Sequence, residues 1–230
     1  MIKYRKTMKN FIFTFVGILL TLSTAQAETY FGPTNISNLN TNNIVINGPA
    51  NLKKINTSYL TITGPLEFSD LEVKEEMTIY GPLTNGQNLK CKKFNITGPM
   101  KSKNINCDKF SAIGTIELQG LTVKQDMDII GSLYITDFNI GRNIKIIGLL
   151  EATNGTIQNL EVTSSDITLQ DVNLNNITIN VNKGKKQTLY LKGKSLVKGN
   201  INFISGKGLI VKGSDVQIKG EITGAIIKSE

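Results

Sequence analysis

A glycine recurs every 16 or 17 residues between positions 32 and 148, and this spacing limits the fold more than any other feature of the chain. The eight positions are Gly32, Gly48, Gly64, Gly81, Gly98, Gly114, Gly131 and Gly148. A fixed period is typical of repeat architectures, in which each repeat packs only against its neighbours. Because a repeat this short has no room for a strand and a helix, we expect repeats built from strands alone.

Apolar residues stand at fixed distances from each of these glycines. The position two residues before the glycine holds Ile46, Ile62, Ile79, Ile96, Ala112, Ile129 and Ile146. The position four residues before it holds Ile44, Leu60, Met77, Phe94, Phe110, Met127 and Ile144. Alternate residues of a strand point to the same face, so these columns predict one buried face. Further apolar columns seven to ten residues after the glycine predict a second buried wall.

These columns predict an all-β fold, a parallel β-helix with coils of 16–17 residues. Successive coils would stack about 4.8 Å apart, and we expect a right-handed path because right-handed crossovers predominate. The glycines would occupy the inner side of a sharp corner, where a Cβ has little room and where glycine tolerates unusual φ and ψ angles. Leucine-rich repeats are the main alternative, but their period is roughly 20–29 residues and their leucine consensus is absent here.

The repeat continues past the eighth glycine and then changes length. Apolar alternation persists to about residue 182, although Ser164 replaces the next corner glycine. Beyond that point a new unit appears twice, offset by 20 to 21 residues, with Leu189 expected to align with Leu209. We therefore expect β-helix repeats over 28–182 and two further coils over 183–230.

Residues 1–27 have the features of a secretory signal. Four cations lie within the first nine residues, an apolar run spans Phe11 to Leu22, and Ala25-Gln26-Ala27 forms a cleavage site. The apolar run has 12 residues, whereas crossing a bilayer takes roughly 20. We therefore expect an exported protein without a transmembrane anchor, located in the periplasm, on the outer surface or in the medium.

An apolar-x-Gly-x-apolar unit recurs along the chain. It is found at Ile62 to Leu66, Ile79 to Leu83, Ile96 to Met100, Val197 to Ile201 and Ile218 to Ile222. The unit resembles the repeat of bactofilins, bacterial β-helical proteins that polymerise end to end without nucleotide. The resemblance covers most of residues 44–226 and is closest in the last 40 residues. It implies a β-helix with a self-associating structural role. The chain differs from bactofilins, which are generally cytoplasmic, in its signal peptide and in the proline that follows five of its glycines.

The residue types argue against catalysis. The chain contains no His, which removes the usual general base at neutral pH and the commonest zinc ligand. Arg occurs once after residue 27. We therefore expect no enzyme activity, no metal site and no cofactor. The alternative is a degenerate polysaccharide-active enzyme, with Asp126 and Asp128 as its candidate carboxylates. A second acidic cluster comprises Glu72, Glu75 and Glu76, and we interpret it as a solvated bend.

Cys91 and Cys107 lie one coil apart in the same apolar column as Val73 and Val123. Two Cys in an exported chain suggest a disulfide. However, neighbouring coils would hold the two Cβ atoms about 4.8 Å apart, beyond the roughly 3.5–4.5 Å of a disulfide. We therefore favour a stack of two buried thiols over a disulfide.

The position directly before the glycine faces outward and becomes apolar in three successive coils, at Ile113, Ile130 and Ile147. Contiguous exposed apolar residues are typical of contact sites. The three isoleucines therefore predict an interface. The alternative is that the C-terminal segment folds back and covers them.

Charge is distributed unevenly after the signal. Residues 28–182 contain 12 Lys and Arg against 15 Asp and Glu, whereas residues 183–230 contain 10 Lys against 3 acids. We expect a non-enzymatic scaffold that self-associates, with head-to-tail attraction between the basic tail and the acidic body. The second hypothesis is a binding module for anionic envelope or host glycans, carried by the tail lysines. No nucleic-acid partner is expected.

Overall fold

The computed structural model describes residues 27–229. This part of the chain is an all-β parallel solenoid of about 12 coils, and it contains no helix. The expected signal peptide lies outside the described residues except for Ala27. The parallel β-solenoid that the glycine period predicts is thereby confirmed.

We call residues 28–182 the body of the solenoid. Its strands are long because they continue around the corners of the coil. They are β1 (Glu28–Phe31), β2 (Thr34–Asn40), β3 (Asn43–Asn47), β4 (Ala50–Thr63), β5 (Leu66–Tyr80), β6 (Leu83–Thr97), β7 (Met100–Val123), β8 (Met127–Ile147), β9 (Leu150–Thr163) and β10 (Asp166–Ile179). Shorter strands follow: β11 (Gln187–Lys192), β12 (Leu196–Val197), β13 (Ile201–Phe203), β14 (Gly208–Lys212), β15 (Gln217–Ile218), β16 (Ile222–Thr223) and β17 (Ala225–Ser229).

Each coil pairs in parallel with the next, and the apolar columns of the sequence are the columns of the structure. Ile62 pairs with Ile79, Ile79 with Ile96, and Ile96 with Ala112. These residues are at most 3% exposed. Burying one Ile or Leu side chain contributes roughly 1.5–3 kcal/mol, so the inner ladders supply most of the stabilisation of the fold.

The corner glycines have the unusual backbone angles expected of them, but the group that leaves no room for a Cβ differs from the expected one. A Cβ on Gly48 or Gly64 would lie 2.6 Å from the carbonyl oxygen of the corner glycine one coil earlier. The obstacle is thus the neighbouring coil along the axis, rather than the inside of the bend. From Gly48 to Gly148 the φ angles lie between +132° and +146°, which L-residues rarely adopt. One glycine per coil therefore lets successive backbones approach closely.

A second column of corners has left-handed backbone geometry. It comprises Asn38, Lys54, Asp70, Asn88, Asn104, Gly120, Asp137, Asn154 and Asp171, with φ between +55° and +74°. Asn and Asp tolerate this conformation better than other residues with a Cβ. Their side chains also bond between coils: Asn88 Nδ2 donates to Asp70 Oδ1 at 2.8 Å, and Asn104 Nδ2 donates to Asn88 Oδ1 at 3.0 Å.

The stack is continuous across residue 182. The strand β10 pairs with β9 on one side and with β11, β12 and β13 on the other. The expected alignment of Leu189 with Leu209 is wrong by one residue, because Leu189 pairs with Ile210. Ile210 is fully buried, whereas Leu209 is partly exposed. The error arose because both residues are apolar and only the pleat distinguishes them.

Candidate interaction surfaces

The C-terminal coil leaves core positions uncovered. The strand β17 pairs with β14 along one edge, and no other strand of residues 27–229 pairs with its opposite edge. Ile227 continues the inner column of Ile210, yet it is 53% exposed. Its neighbour Ile226 is 72% exposed. This end therefore presents apolar side chains beside unpaired backbone groups, which together form a template for another strand.

The first coil has polar residues where later coils have isoleucines. Glu28 pairs with Ile44, and Tyr30 pairs with Ile46. The Tyr30 hydroxyl donates to Glu28 Oε2 at 2.8 Å. Hydrogen bonds from Thr41 and Tyr30 hold the pKa of the Glu28 carboxyl below its usual value. A charge such as that of Glu28 at an inward position of an edge strand disfavours the addition of an unrelated strand. The N-terminal end is therefore charged, whereas the C-terminal end is apolar.

The three isoleucines expected to form an interface are exposed in the structure. Ile113 pairs with Ile130. Ile147 directly precedes Gly148, which lies against Gly131 one coil earlier, so Ile147 follows Ile130 in the same column. Their exposed fractions are 49%, 51% and 48%. The C-terminal segment does not cover them, because it continues the stack as further coils. We call Ile113, Ile130 and Ile147 the isoleucine stripe.

Acidic residues of the body pair with lysines one coil away. The six ion pairs formed within residues 27–229 are Glu72–Lys90, Glu75–Lys92, Glu76–Lys93, Lys101–Glu117, Asp108–Lys124 and Lys145–Glu161, at 2.7 to 3.2 Å. The hydrogen bond from Lys90 lowers the pKa of the Glu72 carboxyl. The cluster of Glu72, Glu75 and Glu76 is thus fully engaged with the next coil, and each exposed pair contributes about 0–1 kcal/mol.

Asp126 belongs to a ladder of amides rather than to a carboxylate pair. Its Oδ1 accepts from Asn143 Nδ2 at 3.0 Å, and Asn143 Oδ1 accepts from Asn159 Nδ2 at 3.0 Å. Asn176 continues the ladder through its bond to Asn159. Asp128 lies on an exposed strand position outside this ladder. Within residues 27–229 no group of three or more His, Cys, Asp or Glu side chains is placed to hold a metal ion.

Cys91 and Cys107 lie in register on adjacent coils. Both thiols are free and buried. The hydrogen bond to Cys107, together with burial, raises the pKa of the Cys91 thiol far above its usual value. A thiol held protonated is a poor nucleophile and a poor metal ligand. The two cysteines therefore pack in the core as small apolar side chains.

Two shallow grooves run across several coils. The first has a volume of about 530 Å³ and contains the Lys101–Glu117 ion pair and Tyr134. The second has a volume of about 620 Å³ and is lined largely by Asn, Thr and Asp, including Asp137 and Asn154. In this second groove Asn154 Nδ2 donates to Asp137 Oδ1 at 2.7 Å. The polar groups of both grooves are therefore partly committed to bonds between coils.

The lysines of the C-terminal coils differ from those of the body. None of the six ion pairs within residues 27–229 involves a residue beyond Glu161. Lys198 and Lys219 follow the paired residues Val197 and Ile218, so they occupy the same position on adjacent coils. Both lysines are exposed. This part of the surface carries stacked cations that no acid of the described chain pairs with.

Comparisons with protein-family models, with curated proteins and with solved structures find no match to this chain. Across residues 27–229 no helix has the length and apolar character needed to cross a membrane.

Proposed function

We propose that the protein is an exported, non-enzymatic β-solenoid that acts as a structural scaffold and self-associates end to end. The observation that carries this proposal is the uncovered C-terminal coil, where Ile226 and Ile227 are exposed beside an unpaired strand edge. Apolar side chains beside an unpaired strand edge are covered when a further coil stacks on them. The bactofilin-like unit at Ile218 to Ile222 directly precedes this strand along the chain, which supports an end-to-end assembly of the bactofilin kind.

A second copy is the partner that matches this edge best. A strand edge is satisfied by another strand at the same spacing of about 4.8 Å, and the first coil of a second copy offers one. Glu28 adds a negative charge at that end, while Lys228 and Lys219 lie near the C-terminal edge. Head-to-tail stacking would therefore be favoured electrostatically and weakened by salt.

The isoleucine stripe gives the scaffold a lateral contact. It runs parallel to the solenoid axis, so one copy presents it to a neighbouring rod rather than to the next copy in the same rod. Burial of three isoleucines contributes about 25 cal/mol for each Å² removed from water. This area is small beside the roughly 1,200–2,000 Å² of a stable protein interface, so the stripe would align rods that the end contacts have already formed.

Sedimentation velocity and negative-stain microscopy on residues 28–230, at low and high salt, test the proposal. We expect oligomers or filaments that shorten at high salt. Ile227→Asp places a charge on the open end and should give monomers. Val181→Asp is the matched control, because Val181 is 50% exposed but lies away from the end. A wild-type protein that stays monomeric at every concentration and in both salts would rule out self-association.

A further inference from the structure

The C-terminal coils combine a large excess of cations with an absence of ion pairs among the residues that the structure describes. Residues 183–230 contain 10 Lys and 3 acids. Two of those acids, Asp215 and Glu221, are exposed. Neither takes part in the six ion pairs within residues 27–229. In the body, by contrast, lysines form ion pairs with acids one coil away.

Like charges are placed directly over one another in two columns. Lys198 and Lys219 are one pair, as described above. Lys186 and Lys207 are the other, because they directly precede the paired residues Gln187 and Gly208. All four lysines are exposed. Like charges facing each other on neighbouring strands destabilise a sheet, so the two pairs oppose folding unless an external anion neutralises them.

The paired strands β6 and β7 of the body contain a comparable pair, and it is compensated. Lys93 pairs in register with Lys109, but Glu76 holds Lys93 at 3.1 Å. The difference between this pair and the two C-terminal pairs is therefore the missing carboxylate. A linear ligand that carries regularly repeated anions would supply that missing charge along the direction of stacking.

The residue types favour an acidic polysaccharide as this ligand. Lysine acts as a point charge and needs no planar acceptor, in contrast to the forked geometry of arginine. Residues 183–230 contain no Arg. Their two aromatic residues are Tyr190, which lies beneath Lys192, and Phe203, which is buried. No exposed aromatic platform is thus present for stacking nucleic-acid bases.

We propose that the C-terminal coils carry a binding surface for a linear acidic polysaccharide, made of two lysine columns at different positions around the coil, Lys186 with Lys207 and Lys198 with Lys219. Each stacked pair binds anionic groups that a single lysine would hold weakly. The surface lies on the sides of the coils, so binding does not depend on the end-to-end assembly proposed above.

The test measures binding of the exported protein to two probes, heparin and polygalacturonate, at increasing salt concentrations. Heparin carries sulfates and polygalacturonate carries carboxylates, so the comparison identifies the anion. The variant Lys198→Gln/Lys219→Gln should lose roughly tenfold in affinity at low salt. Its plot of log affinity against log salt should flatten by about one to two units of slope. Lys186→Gln/Lys207→Gln should behave in the same way.

The matched control is Lys93→Gln/Lys109→Gln, which removes the same net charge from the body. This control should bind both probes almost as tightly as the unaltered protein. An equal loss in all three variants would show that net charge alone determines binding and would overturn the proposal. Duplex DNA bound as tightly as either polysaccharide would overturn the ligand class, and failure to bind either polysaccharide at low salt would overturn the site. An unchanged melting temperature confirms that each variant is folded.

Discussion

Phe110 stacks on Phe94 across one coil of the solenoid, with ring centroids 5.1 Å apart and ring planes 23° from parallel. Both rings are completely buried. They lie in the column four residues before the corner glycine, in which neighbouring coils have Met77 and Met127. These two rings are the bulkiest adjacent side chains of this column, and they fill the core between their coils.

Phe110→Ala should lower the free energy of unfolding by roughly 3–5 kcal/mol, because it removes a buried ring and leaves a cavity against Phe94. Urea unfolding followed by circular dichroism measures the loss. Phe110→Leu keeps most of the volume and should cost clearly less. Equal stability of the alanine variant and the unaltered protein would contradict the packing described here.

Gly64→Ala should destabilise the protein more than Gly32→Ala. Both glycines have positive φ, so both substitutions add backbone strain. Only at Gly64 would the new Cβ meet a backbone carbonyl oxygen, that of Gly48 at 2.6 Å; nothing lies within 4 Å of a Cβ at Gly32. Thermal unfolding of the two variants compares them directly. A larger loss at Gly32 would show that strain, rather than the contact between coils, makes glycine necessary.

Asn104→Ala should cost about 1–2 kcal/mol, since it loses a hydrogen bond to Asn88 and places alanine at φ +56°. Asn104→Gly removes the same bond but accommodates the left-handed backbone, as Gly120 does on the next coil. It should therefore recover part of the loss. Chemical denaturation of both variants separates the two contributions. If glycine is no better than alanine, backbone geometry is not what selects Asn here.

The thiols of Cys91 and Cys107 should react slowly with a maleimide in the folded protein and rapidly after denaturation. Their burial, and the raised pKa of Cys91, keep the reactive thiolate scarce. Raising the pH from 7 to 9 should accelerate labelling far less than it does for an exposed thiol. Mass spectrometry counts the labelled sites. Absence of labelling in the denatured, unreduced protein would reveal a disulfide instead.

Acidification should weaken the ion pairs between coils. The pKa values of Glu72 and Glu161 are lowered in the folded protein, mainly by hydrogen bonds from Lys90 and Asn180 respectively. Their contribution is therefore present above the carboxyl pKa of the unfolded chain and is lost as the pH falls through the lowered folded values. Each exposed group contributes less than about 1 kcal/mol. Glu161→Gln should flatten the decline in unfolding free energy between pH 5 and pH 3, and an unaltered pH profile would contradict this.

The solenoid could be predicted from the sequence because the glycines and the apolar residues repeat with the same spacing. The glycine column fixes the coil length, and the apolar columns fix which side faces inward, so Ile62 and Ile79 had to stack. The register of Leu189 could not be predicted in the same way. Leu209 and Ile210 are both apolar, and only the hydrogen-bonded pairing with the preceding coil decides which of them faces the core.

The surfaces were harder to predict than the core. The column of Asn88 and Asn104 shows in the sequence as Asn or Asp six or seven positions after most of the corner glycines, but such residues are equally typical of ordinary bends. The outward position of Ile113 followed from alternation. Its exposure did not, because that depends on where the C-terminal coils lie, and periodicity alone does not place them.

The pairing of every coil with its immediate neighbours has a consequence for how the chain acquires its structure. Paired residues of the body lie 16 to 18 positions apart in the sequence. These pairings therefore do not require residues from the C-terminal coils. Once a few coils have nucleated, each further length of chain can add to the growing edge as it arrives. A polypeptide that emerges progressively from its N-terminus would thus form its coils in order, from the first coil to the last.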